Sequence, residues 1–127
     1  MPHRTTPAAL TAPEIVGQAW AVGLTASVAA TTIYTAPVRG TYRVNVYHEC
    51  TTAVAARLFD TTIGWTDAVG ARTRIGAPQL NLATTAEESG VLVIEAKEGT
   101  AITYAATFNA GAGAPVCNQR ITVERLT

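Results

Sequence analysis

Residues 33–50, Ile-Tyr-Thr-Ala-Pro-Val-Arg-Gly-Thr-Tyr-Arg-Val-Asn-Val-Tyr-His-Glu-Cys, restrict the folds open to this chain more than any other stretch. After a turn at Pro37 and Gly40 the side chains alternate strictly. Tyr42, Val44, Val46, His48 and Cys50 fall on one face, and Arg43, Asn45, Tyr47 and Glu49 on the other. A strand with one apolar face needs neighbours to pair with and a second layer to cover that face. The pattern therefore predicts a β-sandwich. Pro37 presets a turn dihedral, and Gly40 is expected to supply a backbone state closed to other residues.

Turn chemistry cuts the rest of the chain into similar pieces. The expected strands are Ala19–Leu24, Ala29–Tyr34, Thr41–Cys50, Arg57–Trp65, Ala71–Ile75, Gln79–Thr84, Val91–Ala96, Ala101–Phe108 and Cys117–Leu126. Between them lie turns at Pro37–Gly40, Ala68–Gly70, Gly76–Pro78, Glu87–Gly90, Lys97–Gly99 and Gly111–Pro115. Such spacing predicts an all-β jelly-roll sandwich of eight to ten antiparallel strands. The β-branched run Val91-Leu92-Val93-Ile94 reads as a buried strand rather than a helix. A chain of 127 residues holds one such domain, assigned to 15–127. Residues 1–14, with Pro2, Pro7 and Pro13, read as a short extended N-terminal arm, either a disordered terminus or a segment that orders by docking on a neighbour or a larger particle.

Nine basic and nine acidic residues cancel, so no broad positive field attracts nucleic acid or an anionic membrane, and neither is an expected partner. No apolar run reaches the roughly 18–20 residues of a membrane helix. No signal peptide is visible, which points to synthesis in a cytoplasm. Cys50 and Cys117 fit either a disulfide between a middle and a late strand or two reduced, buried thiols. The missing export signal favours the thiols.

Catalytic chemistry is poorly supplied. Ser27 and Ser89 lie outside any Gly-x-Ser-x-Gly elbow, and His3 falls in the arm. His48 and Cys50 share a strand face two residues apart, an arrangement that a thiol–imidazole pair could use but a packed face explains better. Glu87-Glu88 reads as a solvated loop tip. Asp60 and Asp67 lack the spacing of a calcium loop, and no Cys-x-x-Cys is present, so no metal and no cofactor are expected. The glycines of Ala110–Pro115 lack the lysine and helix of a phosphate loop. The chain reads as a non-enzyme whose contact surface draws on Arg39, Arg43, Tyr47, Trp65, Arg72 and Arg74, arginine and aromatic residues being favoured at interfaces. Trp65 and Trp20 read better as caps on the core at the sandwich edge than as contact residues.

Tyr34, Thr35, Pro37, Gly40 and Tyr42 give the segment a resemblance to the signature of complement globular-head and tumour-necrosis-factor-like jelly rolls. Leu92 to Tyr104, around Lys97-Glu98-Gly99-Thr100, is similar to that family's late hairpin. Glu-Gly stands where the family carries Gly-Asp, and Ile121–Leu126 lacks the aromatic residues of its last strand. The resemblance implies a jelly roll that assembles as a tight trimer.

The chain also resembles small β-rich virion proteins of tailed bacteriophages. The likeness lies in Ile63-Gly-Trp-Thr-Asp-Ala-Val-Gly-Ala71, the closing Ile-Thr-Val-Glu-Arg-Leu, Ala/Thr-rich strands and a single lysine, Lys97. This implies a homotrimeric capsid decoration protein, located in the virion and bound to itself and to the major capsid protein or another virion protein. The alternative it implies is the head of a phage fibre, reading a host surface glycan with the loops around Trp65–Arg74 and Asn109–Val116.

Overall fold

The computed structural model describes residues 12–54, 57–109, 111 and 113–127, and among them every regular element is a strand. These are β1 (Glu14–Leu24), β2 (Val28–Thr35), β3 (Gly40–Thr52), β4 (Leu58–Thr66), β5 (Ala71–Ile75), β6 (Leu80–Asn81), β7 (Ala86–Ala96), β8 (Ala101–Phe108) and β9 (Val116–Arg125). The arm expected over 1–14 lies, as far as Thr11, outside the described residues, and Glu14 opens β1 opposite Arg125.

Pairing is antiparallel throughout and nested. β1 pairs with β9, β2 with β8, β3 with β7, and β4 with β5 and β6. The chain thus forms one long hairpin, which is rolled so that β9 also meets β3 and β8 also meets β4. The result is a four-stranded sheet in the order β1-β9-β3-β7, packed on a five-stranded sheet in the order β2-β8-β4-β5 with β6 beside β4. This is the jelly roll the alternation predicts.

The inward faces follow the period of two. Tyr42, Val44, Val46, His48 and Cys50 are all buried, and so are Phe59, Thr61 and Ile63 of β4. A polar layer divides the apolar interior. On one side pack Tyr42, Val44, Val46, Ile63, Ile94, Ile102, Ile121 and Val123. On the other lie Cys50, Phe59, Leu80, Leu82, Phe108 and Cys117. Between them, His48 Nε2 lies 2.7 Å from the Pro78 carbonyl and can only donate to it, which leaves Nδ1 to accept from the Thr61 hydroxyl at 2.9 Å. Gln119 Nε2 in turn donates to Thr61 Oγ1 at 2.7 Å. Such a network fixes the pairing of β3, β4 and β9, because a slip of one residue would leave three buried polar groups without partners.

That network also fixes a pH dependence. Burial is the main cause holding the His48 imidazole below its ordinary pKa, against the opposing pull of the Pro78 carbonyl, Asp60 and Glu88. Above about pH 6.5 the folded and unfolded chains both carry neutral imidazole. Below it the unfolded chain takes up a proton that the folded protein resists. Stability should therefore fall as pH drops from 7.5 to 5.5, by at most about 1.4 kcal/mol per pH unit. Urea unfolding of wild type and His48→Gln at both values tests this, and an equal slope in the two proteins removes His48 as the cause.

Three local expectations are corrected. Glu87–Gly90 is not a turn: β7 begins at Ala86 and pairs with β3 through Cys50–Ala86, Glu49–Glu87 and His48–Glu88. The long β3 offers ladder partners, and a full row of backbone hydrogen bonds outweighs the low strand preference of glutamate and glycine. Gly40 does not adopt a positive φ. It is small because the Thr127 carbonyl would lie 2.9 Å from a Cβ at that position. Trp20 does not cap the core. It is exposed on the outer side of β1, while on the inner side a Cβ at Gly17 would stand 3.0 Å from the Ile33 carbonyl of β2, so that inward position must be small.

Between β5 and β6 the segment Gly76–Pro78 dips into the interior. Gly76 N donates to the Thr61 carbonyl, and Gly76 and Ala77 are buried. The segment crosses the inner face of β7 at Gly90, where a Cβ would lie 2.1 Å from the Gly76 carbonyl oxygen.

Candidate interaction surface

The outer face of the four-stranded sheet is the surface that departs most from an ordinary solvated sheet. The register sets its side chains in level rows across β1, β9, β3 and β7. One row is Ile15, Glu124, Arg43 and Val93, the next is Gln18, Thr122, Asn45 and Val91, and the third is Trp20, Arg120, Tyr47 and Ser89. Beyond them Asn118 and Glu49 lead to Glu87.

The middle of the face is polar and self-paired. Arg43 Nε donates to Glu124 Oε1 at 2.8 Å and its second nitrogen to Oε2 at 3.3 Å. Asn45 Nδ2 donates to the same carboxylate at 2.7 Å and to Thr122 Oγ1 at 3.1 Å. Hydrogen bonds from Arg43 and then Asn45 hold the Glu124 carboxyl below the usual carboxylate range. Asn118 Nδ2 donates to Glu49 Oε2. Desolvation, with Glu49 and Glu87 nearby, pushes the Tyr47 phenol above its ordinary value.

The two flanks are apolar. On β1, Ile15, Trp20 and Val22 are exposed, and on β7 so are Val91 and Val93, with exposures between 58% and 68%. Trp20 lies under the Arg120 guanidinium, 5.3 Å from carbon to ring centroid, a cation–π contact. Five of the large exposed apolar side chains thus lie on one face, in two flanks, which makes this face the candidate interaction surface.

The structure separates the six predicted contact residues. Arg43 and Tyr47 belong to this face. Trp65 is half-buried against the core at the far end of β4. Arg72 lies beside it on β5 and is tied to Asp67 at 2.9 Å, while Asp67 also accepts from the backbone of Val69 and Gly70 and closes the β4–β5 turn. Arg74 sits exposed on β5, and Arg39 is exposed in the β2–β3 turn. The loops around Trp65–Arg74 and Asn109–Val116 are at opposite ends of the sandwich, because Asn109 N bonds to Leu58 at the start of β4. They do not form one site. Sequence reasoning missed Ile15, Trp20, Val22, Val91 and Val93. Their signal was alternation with alanine and glycine in β1 and with leucine and isoleucine in β7, which left the choice of inner face open.

His48 and Cys50 do not form a reactive pair. The imidazole is taken up by Thr61 and Pro78, and Cys50 stands opposite Cys117 in the β3–β9 register, with their sulfurs joined in a disulfide in place of two thiols. Asp60 accepts from Gln79 at 2.8 Å. Among the described residues no three histidine, cysteine or acidic side chains converge as a metal site.

No protein-family model matches the sequence, and no curated protein matches it. Two solved structures are similar in fold. One is a chain from the structure of infectious bursal disease virus, Gx strain, with a TM-score of 0.53 at 16% identity over 98% of this chain. The other is a chain from the crystal structure of the infectious bursal disease virus VP2 subviral particle, with the same TM-score of 0.53, 16% identity and 98% coverage. This chain spans 37% of the length of each. The likeness is one of β-sandwich architecture.

Proposed function

We propose that this protein is a structural component of a virion, a non-enzymatic jelly roll that forms a homotrimer and decorates the head of a tailed bacteriophage. The observation that carries the reading is the outer face of the β1-β9-β3-β7 sheet. It exposes two apolar flanks on a rigid sandwich whose architecture resembles that of two virus-particle chains. A protein of this kind works mechanically. The doubly sheeted core gives stiffness, the apolar flanks supply contact area, and the segment ahead of β1 serves as the arm that reaches the lattice. Many small contacts repeated around a symmetric particle give strong attachment without any single strong site. The engagement of His48, Cys50 and Asp60 in packing and hydrogen bonds leaves no nucleophile–base pair among them, which supports a non-catalytic role.

Light scattering behind a sizing column should give three times the 13.2 kDa chain mass. Immunogold labelling of particles from the producing culture should mark heads. Gold at tail tips, together with binding on a glycan array, would establish the fibre-head reading instead. Gold on no particle would overturn both.

A further inference from the structure

We infer that the seam between copies is heterologous: the β1 flank of one copy docks on the β7 flank of the next, and the ring closes at three. The inference rests on the trimer reading above and says which surfaces make it.

Three observations converge. First, the apolar residues occupy the two edges of one face, Trp20 and Ile15 on β1 and Val91 and Val93 on β7, with the polar strands β9 and β3 between. A two-fold contact of whole faces would bury the Arg43–Glu124 pair and Glu49 against their own copies, and desolvating ions costs several kcal/mol apiece in such a place. A ring that joins edge region to edge region buries the apolar flanks and leaves the polar stripe wet.

Second, the flanks are complementary in charge. Arg120 rests on Trp20 and has no carboxylate partner among the described residues. Glu87 and Glu95 project from the opposite edge, exposed and without a cation partner among the described residues.

Third, the rows are level. Ile15 and Val93 end one row, and Trp20 and Ser89 end another, flanked on β7 by Val91 and Glu87. A three-fold axis running along the strands keeps levels matched. It sets Ile15 on Val93 of the next copy, and it brings Trp20 with Arg120 to the level of Ser89, one row from Val91 on one side and one row from Glu87 on the other. A head-to-tail contact of this sort closes into a ring when its rotation divides the circle.

The decisive experiment uses two variants of the full chain. Trp20→Glu breaks the β1 flank and Val93→Glu breaks the β7 flank. Both positions are well exposed, so each variant should keep the wild-type circular dichroism, while its melting temperature falls only by what association contributes. Each alone should weaken association at least about 30-fold, as loss of an interface anchor does. Mixed in equal amounts they should form a heterodimer and nothing larger, because one intact seam remains between them. Arg120→Glu should dissociate the trimer and the second change Glu87→Arg should restore it. A wild-type trimer that survives both flank variants overturns the seam and leaves the trimer reading standing. A wild-type dimer overturns the heterologous arrangement. A wild-type monomer overturns both, as does burial of Trp20 only on binding to phage heads, which assigns the face to another virion protein.

Discussion

A chain carrying Gly90→Ala should lose about 3–5 kcal/mol of stability, more than an exposed strand substitution normally costs. The added carbon would lie 2.1 Å from the Gly76 carbonyl oxygen and 2.9 Å from Ala77 Cα, and both are backbone atoms that cannot rotate aside. The crossing segment would have to move outward. Doing so pulls the Pro78 carbonyl away from His48 Nε2 and Gly76 N away from the Thr61 carbonyl, so one methyl group also removes two buried hydrogen bonds. Gly70→Ala is the control, since a Cβ there meets nothing within 4 Å, and it should change stability by less than about 0.5 kcal/mol. Urea unfolding of the two variants beside wild type decides the matter. Equal midpoints would mean that the segment does not cross β7 where the structure puts it.

Removing the bridge by Cys50→Ala with Cys117→Ala should be comparably costly. The bond spans 67 residues, and cross-linking a loop of that size restricts the unfolded chain by about 4 kcal/mol. For a domain of this length that is a fall of roughly 15 °C in Tm. Scanning calorimetry with and without a thiol reductant separates the causes. Wild type should drop on reduction nearly to the level of the double variant, and the double variant should not respond. If wild type ignores the reductant while the thiols titrate fully, the pair contributes packing and no constraint.

The outline of the fold was legible because period-two alternation is a direct record of a face. β3 matches its expected faces residue for residue, and β5 and β8 match their expected bounds, Ala71–Ile75 and Ala101–Phe108. What failed shares a cause. In β1, alanine and glycine alternate with tryptophan and valine, and either set could face inward. Only the approach of β2 to Gly17, a contact between strands, requires a small residue inside at that position. In β7, Glu87-Glu88-Ser89-Gly90 carries turn chemistry, yet the length of β3 opposite recruits it into the ladder. The exposed flanks were misread for that reason, and the arginines chosen for their chemistry alone scattered to both sheets and one turn. Arg43 and Tyr47 share the outer face expected of them because they sit on the strand whose alternation is unambiguous.

The position of β9 has a consequence for how the protein comes into being. It lies between β1 and β3, although it comes after all the other described strands in the chain. Until Val116–Arg125 have emerged, β1 and β3 have no neighbour between them and their facing backbone groups stay open. The nested pairing makes nearly every contact distant along the chain, and folding of that kind waits for the whole sequence. The nascent protein therefore cannot build up its shape piece by piece. The four-stranded sheet closes only once β9 has joined it, and a product truncated ahead of that strand would leave two bare edges ready to aggregate.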